Sequence, residues 1–497
     1  MSETGTLFDH EQGSLERNGL KGFSRLPDWL VAARDPDRIQ DRLSSLVPEF
    51  SRGQMILQKC DVGHIRYKED HWTGLYHLTT NLPGNETPQI MTLEGEIYSP
   101  GVIPPGPAQV EGTIGSQGWH ATIPDLNLKL KTQGSETVLG SLSFLTDPEE
   151  SRLFLMRNIR AGSPRYQDIE IKASNPKVVR YKPGSRCTVL YHLEYPERQS
   201  PGPQWPELVI AKTYRNEKGK NAFDGMMALW NSPLASSRTV QIAEPLAYND
   251  HERVMIQGPI REEITLKKLM TAAFEAGTPE SIENVHQVLQ KTAAGLAELH
   301  QASLPLAKVW RWEDEMSEVQ ERIARLSTVQ SGLTEAADPL LDRIKQLASA
   351  CPPDPLVPSH GSFRPAQVLL YKDQIGFIDF DSICQSEPGN DLALFLSSVM
   401  SFAMTNTDFD ETSDSGAGME EETRQTRFEI GMSLSEEFLD EYEKHRPISR
   451  QRVALWEALD LFMLVLHGWI KVKVGELNDT VYLMERFLQT KKYIGTP

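Results

Sequence analysis

The sequence predicts an α+β chain with a strand-rich front and a helical back, on three observations. A unit of strands occurs twice before Tyr214. From Leu266 onward, apolar residues recur at three- and four-residue spacing, as on helices that bury one face. One strand-rich segment, VPSHGSFRPAQVLLYKDQIGFIDFDSICQSEPGNDLALFL, interrupts that helical half.

The 497 residues suit about three domains at roughly 150 residues each. Lys and Arg number 51 against 69 Asp and Glu, a net charge of −18, which argues against nucleic acid or an anionic membrane as the main partner. Cys60, Cys187, Cys351 and Cys384 are far apart and without nearby His at zinc spacing, so neither a disulfide framework nor a zinc module is expected. A reducing, cytoplasmic setting fits such cysteines. Residues 1–25 begin with a polar, acidic stretch unlike a signal peptide and are expected to be flexible.

An α+β domain is expected over 26–150. It contains RYKEDHWTGLYHL (Arg66 to Leu78), which returns as RYKPGSRCTVLYHL (Arg180 to Leu193). TLEGEIY (Thr92 to Tyr98) follows the first copy at nearly the distance at which LVIAKTY (Leu208 to Tyr214) follows the second. Each copy reads as a hairpin plus a third strand, rich in β-branched and aromatic residues. Only the second keeps a cation in that third strand, Lys212, where the first carries Glu96. Asn81 to Gly118 is dense in Pro and Gly and reads as loops and extended connections. A lysine in an apolar strand is commonly an edge residue, and a single Gly in KPGS (Lys182 to Ser185) commonly just a turn, although that turn also suits covering a phosphate.

In the helical half, IENVHQVLQKTAAGLAELHQ and MSEVQERIARL are amphipathic helices. Ala454 to Ile470 is very apolar but carries Glu457, Asp460 and His467, so it reads as a buried core helix and not a membrane span. Thr407 to Thr423 is acidic and rich in Ser and Gly, as in a disordered insert between helices.

The interrupting segment carries the chemistry. VLLY and GFIDF form a hairpin around KDQ, placing Asp379 at the end of the second strand beside Gln367. A carbonyl oxygen and a carboxylate converging this way suit Mg²⁺ bridging nucleotide phosphates, because Mg²⁺ takes few protein ligands. IDFD by itself is more often a strand entering a polar turn; HGSFRPAQ before it raises the metal reading.

HGSFRPAQVLL, IDFD and NDLA together resemble the aminoglycoside phosphotransferase-like branch of the protein-kinase-like fold, whose pattern is HGDxxxxN, then IDW or IDF, then DLA. The resemblance runs from about Arg180 to the C-terminus. It implies a small lobe with its hinge over 151–260 and a helical large lobe over 261–497, preceded by a degenerate copy of the small lobe. It further implies ATP and Mg²⁺ as cofactors and a small-molecule hydroxyl acceptor. By that resemblance Lys212 anchors the nucleotide, Ile256, Gln257 and Gly258 form the adenine-binding hinge, and Asp379 and Gln367 hold the metal. Arg364 lies near the transferred phosphate, while His360 and Asp391 are structural. Asp224, in preference to Glu217, is the expected partner of Lys212 from the helix that follows it. Ser362 replaces the family's catalytic Asp, and a serine hydroxyl cannot accept the proton as a carboxylate does. Asp381 is the nearest substitute carboxylate. Two functions follow: an ATP-dependent phosphotransferase acting on a small hydroxylated molecule, or a pseudokinase, a nucleotide-binding scaffold working through a protein partner.

Overall fold

The computed structural model describes residues 20, 22–84, 87–133, 141–182, 186–197, 205–330, 332–405 and 420–491. The turn residues 183–185 of KPGS, and residues 407–419 of the acidic insert, lie outside these. The insert was expected to reach Thr423, but a helix already begins at Glu421.

The first sheet follows helix α1 (Pro36–Leu46), whose start is fixed by Asp35: its carboxylate accepts the amide hydrogens of Asp37 and Arg38. Its strands are β1 (Ile56–Val62), β2 (Arg66–Lys68), β3 (His71–Asn81), β4 (Gln89–Ile97), β5 (Gln109–Glu111), β6 (His120–Ile123) and β7 (Leu128–Thr132). They lie in the order β1-β3-β4-β7-β6-β5, with β2 paired to the start of β3. β3 alternates strictly between buried and half-buried residues, which turns Trp72, Tyr76 and Leu78 inward.

The second sheet repeats this plan. Asp147 caps α2 (Pro148–Gly162) as Asp35 caps α1. Then come β8 (Ala173–Lys182), β9 (Arg186–Glu194), β10 (Leu208–Thr213), α3 (Lys218–Trp230), β11 (Val240–Ile242), β12 (Pro245–Asn249) and β13 (Val254–Gln257). Apart from β11, these strands form one sheet in the order β12-β13-β10-β9-β8. α2 runs through the expected boundary at residue 150, and its Phe154, Leu155 and Ile159 share a core with β9 and β10, so it goes with the second sheet.

The large lobe comprises β14 (Ile264–Thr265), α4 (Leu266–Ala276), α5 (Pro279–Gln301), α6 (Trp312–Ser327), α7 (Leu333–Ala350), β15 (Val357–Ser359), β16 (Val368–Tyr371) and β17 (Gln374–Phe377). After these come β18 (Cys384–Ser386), α8 (Pro388–Thr405), α9 (Glu421–His445), α10 (Arg450–Lys471) and α11 (Leu477–Thr490). β16 and β17 form the expected hairpin, joined by β11 and β14 into a small sheet beneath the cleft. With its β-rich small lobe and helical large lobe, the chain has the two-lobed, kinase-like α+β architecture.

α10 is long and apolar enough to cross a membrane by composition, yet most of it is buried inside the protein. It is covered by α6, α7, α11 and the first sheet, which share one apolar core with it. Trp72 Nε1 donates to the carbonyl of Trp469 at 3.1 Å, and Trp469 Nε1 to that of Phe23 at 3.0 Å. Leu20 and Phe23 are buried here, so the last part of the stretch expected to be flexible belongs to the core. All four cysteines are free and buried.

Candidate active site

His360, Gly361 and Ser362 leave β15 in a tight turn that requires glycine at its centre. Gly361 has φ +76°, and a Cβ there would stand 2.2 Å from the carbonyl oxygen of Ser382. The turn is held by Asp391 in the first turn of α8, whose carboxylate accepts the amide hydrogens of His360 at 2.6 Å and Gly361 at 2.8 Å. Burial pushes this carboxyl up, but the hydrogen bond from His300 Nε2 and the two amides outweigh burial and hold it below the usual carboxylate range. His360 is buried beneath the loop, donates Nε2–H to the carbonyl of Ile378 at 2.9 Å and packs on Phe380. Its burial pushes its pKa down, so the ring is neutral.

The short turn Pro365–Gln367 brings Gln367 beside Asp379, because the amide of Ile378 donates to the Gln367 backbone carbonyl at 3.1 Å. The Gln367 side-chain oxygen accepts from the Arg364 amide at 2.9 Å, and its amide nitrogen lies 3.4 Å from Ser362 Oγ. Asp379 sits in the left-handed region, φ +71° and ψ +48°, a conformation non-glycine residues rarely adopt.

Across the cleft, Lys212 Nζ donates to Asp379 Oδ1 at 2.7 Å and to Asp381 Oδ1 at 3.4 Å. Burial works against the lysine's charge, but the two carboxylates more than offset it and raise its pKa. Burial likewise pushes Asp379 up, yet the charge and hydrogen bond of Lys212, with Arg186 behind them, hold it well below the usual carboxylate range. Both groups are therefore charged at neutral pH.

Several expectations are corrected. Asp224 does not reach Lys212. α3 turns Ala222, Met226 and Leu229 inward and packs Gly225 so close to Ile383 that a Cβ would meet it at 2.2 Å, which leaves Asp224 to pair with Lys220 on the helix's own surface. Asp381 is not on the acceptor side by Ser362. It faces the small lobe, accepting from Tyr214 Oη at 2.7 Å and Arg186 Nη1 at 3.3 Å besides Lys212. At the hinge, Gln257 lines the cleft, the Ile256 side chain is buried in the sheet's other core, and the Gly258 amide already donates to the Glu244 carbonyl at 2.8 Å.

Arg186 and Tyr214 escaped the sequence reading. Tyr214 was within reach of it, two residues after Lys212 and hence on the same side of an extended chain. The structure also holds an unforeseen pair: Glu315 on α6, which accepts Trp310 Nε1–H at 2.9 Å, and Asp460 on α10. Burial, and then the nearness of Glu315, pushes Asp460 well above the usual carboxylate range against the opposing charge of Arg364. Its Oδ2 is buried without a hydrogen-bond partner among the described residues.

The cleft between the second sheet and the β16–β17 hairpin encloses about 1000 Å³ and is lined by Lys212, Arg186, Thr188, Gln257 and Asp379. Among the described residues no group of three His, Cys, Asp or Glu side chains stands at metal-binding spacing. The expected metal pair, Asp379 and Gln367, offers one carboxylate and one side-chain carbonyl, and that carbonyl already accepts from the Arg364 amide.

Residues 233–426 match the family model described as "Phosphotransferase enzyme family". The match covers less than half of the chain and takes in the segment that carries HGSFRPAQVLL, IDFD and NDLA. Among solved structures, a streptomycin–ATP–APH(2")-IIa ternary complex is 14% identical, covers 60% of this chain and 86% of its own, and has a TM-score of 0.40. A choline kinase from Cryptosporidium parvum Iowa II is 13% identical over 69% of this chain and 96% of its own, with a TM-score of 0.41. A thermostable mutant of aminoglycoside phosphotransferase APH(4)-Ia is 12% identical over 64% and 94%, with a TM-score of 0.40. No curated protein sequence matches this chain.

Proposed function

We propose that the chain is an ATP-dependent phosphotransferase acting on a small hydroxylated molecule. The observation that carries this reading is the cluster of Lys212, Arg186 and Tyr214 around Asp379 and Asp381, inside a cleft large enough for a nucleotide. Apposed charges of this kind are spent on phosphates and their counter-ion once a nucleotide enters. Asp379, with Gln367 and Asp381, would hold Mg²⁺, which neutralises charge on the phosphates. Lys212 would then turn from the carboxylates to the phosphates, while Arg364 would face the transferred group from the catalytic loop. Ser362 can orient an acceptor hydroxyl by hydrogen bonding but cannot take its proton at neutral pH.

The pseudokinase alternative rests on a specific observation: Asp381 is held on the small-lobe side, so nothing adjacent to Ser362 in sequence supplies the missing carboxylate. Calorimetry with ATP and Mg²⁺ tests the shared part of both readings. Lys212→Ala and Asp379→Ala are each expected to weaken nucleotide binding by roughly 1.5–3 kcal/mol, the worth of a charge-assisted contact. Turnover with sugar, aminoglycoside and amino-alcohol acceptors separates them: binding with no transfer to any acceptor favours the scaffold.

A further inference from the structure

The two sheets share one register at the repeated hairpin and third strand. In the first, Thr73 of β3 stands opposite Glu96 of β4, and in the second Thr188 of β9 stands opposite Lys212 of β10. At the hairpin, Arg66 lies opposite Thr73 and Arg180 opposite Thr188. Strand order, capped entry helix and register therefore agree, and Glu96 occupies the register position of the nucleotide lysine. Its carboxylate is engaged by Tyr98 Oη at 2.7 Å and Lys131 Nζ at 3.0 Å, an arrangement that repels phosphate. Duplication followed by loss of the anionic-ligand lysine accounts for all of this.

The copies also turn the same hairpin position onto a pocket. Arg180 lines the large cleft of the second lobe. Arg66 and Tyr67 line a separate groove of about 510 Å³ between the first sheet's hairpin and helices α6 and α10. The hairpin is held rigidly there. Tyr67 Oη donates to the Arg325 carbonyl at 2.8 Å, and its ring packs against Trp72, which is itself bonded to α10. Such a site is preformed, as small-molecule pockets usually are.

One edge of the groove is tied to β18, which pairs with β15, the strand that leads into His360. Trp310, at its edge, donates its ring N–H to Glu315 and its backbone N–H to the Gln385 carbonyl on β18, at 2.9 Å each. Glu318 lies one turn beyond Glu315 on α6, and His467 two turns beyond Asp460 on α10, so the two helices that line the groove also carry the Glu315–Asp460 pair.

The lining carries both signs of charge, with one more base than acids. Asp314, Glu318 and Glu321 face Arg66, Arg322, Arg325 and Lys471, in a chain whose net charge is −18. Glu318 and Arg322 already pair, and Arg322 Nη1 lies 3.1 Å from His467 Nε2. Interspersed donors and acceptors beside the flat rings of Tyr67 and Trp310 suit hydroxyl arrays better than a polycation or a polyanion, each of which would meet like charge.

We propose that this groove binds an uncharged polyhydroxylated, sugar-like molecule, with one wall supplied by a duplicated small lobe that no longer takes nucleotide. That this molecule is the phosphoryl acceptor rests on the phosphotransferase reading above.

The test is calorimetry on the full chain without nucleotide, titrating neutral mono- and disaccharides and linear polyols, with an aminoglycoside and a sugar phosphate as charged comparisons. Arg66→Ala and Glu321→Gln change exposed side chains and are checked for an unaltered melting temperature. Binding of a neutral sugar in preference to both charged ligands, weakened at least tenfold in each variant with ATP affinity unchanged, supports the proposal. No binding by any neutral compound, preference for the polycation or the phosphate, or binding unaffected by both variants overturns it. Sugar binding without phosphate transfer from ATP supports the groove and counts against the phosphotransferase reading.

Discussion

Gly361 and Ser362 adjoin, yet one is constrained by space and the other by chemistry. Gly361→Ala must either move the Ser382 carbonyl or abandon the positive φ, and is expected to cost about 2–4 kcal/mol in urea denaturation, with loss of activity following the displaced loop. Ser362→Asp restores a proton acceptor at the position where the resembled family has one. Under the phosphotransferase reading it is expected to raise kcat, within the roughly 10²–10⁴-fold range of general-base effects, with little change in KM for ATP. Asp381→Asn is expected to act on the nucleotide instead, raising KM for ATP, since its contacts are to Lys212, Tyr214 and Arg186. Steady-state kinetics with each substrate varied in turn separates the two effects.

Helix α10 shows what an element gives up when it is buried on every side. Glu457 is buried on it with both carboxylate oxygens lacking a hydrogen-bond partner among the described residues, and its nearest cation, Lys491, is 4.0 Å away. Burial pushes its pKa up to about 7, despite the opposing charge of Lys491. Below about pH 4.5 the folded and unfolded chains both carry the proton. As pH rises toward 7 the unfolded chain loses it first, so stability falls across that window and levels off above it. Glu457→Gln is expected to remove this loss, making the variant more stable than wild type at pH 8 by on the order of 2–3 kcal/mol and nearly equal to it near pH 4.5. Chemical denaturation across that range measures both ends.

At the scale of the whole molecule, the first sheet is welded to the large lobe. Phe23, Trp72 and Tyr76 share one core with α6, α7, α10 and α11, so the first sheet covers apolar surface of these helices. A chain beginning at residue 141 would expose that apolar surface. It is expected to aggregate or to bind hydrophobic dyes, even though it keeps every residue of the nucleotide cleft. Expression of residues 141–497 beside the full chain, compared by gel filtration and thermal melting, measures this; a monomeric, cooperatively melting fragment would show the two parts to be independent.

The sequence by itself determined what depends on local order and spacing. The repeated hairpins, the helices from Leu266 onward, the β16–β17 hairpin and the adjacency of Gln367 and Asp379 all follow from short-range alternation, periodicity and turns. Lys212 was legible by its place in the third strand of the second copy, at the expected distance upstream of the hinge, where the first copy carries Glu96. Only the tertiary structure decided where the carboxylates point. Asp381 is drawn to the small lobe by Tyr214 and Arg186, which precede it by 167 and 195 residues, while Asp224 is kept at the surface by the close packing of Gly225 on Ile383. Asp460 comes near Glu315 because α10 and α6 pack in one core, and near Arg364 because the loop after β15 is folded against them. The charge a side chain meets across a cleft depends on elements brought together by folding, and the spacing along one segment carries no record of that partner.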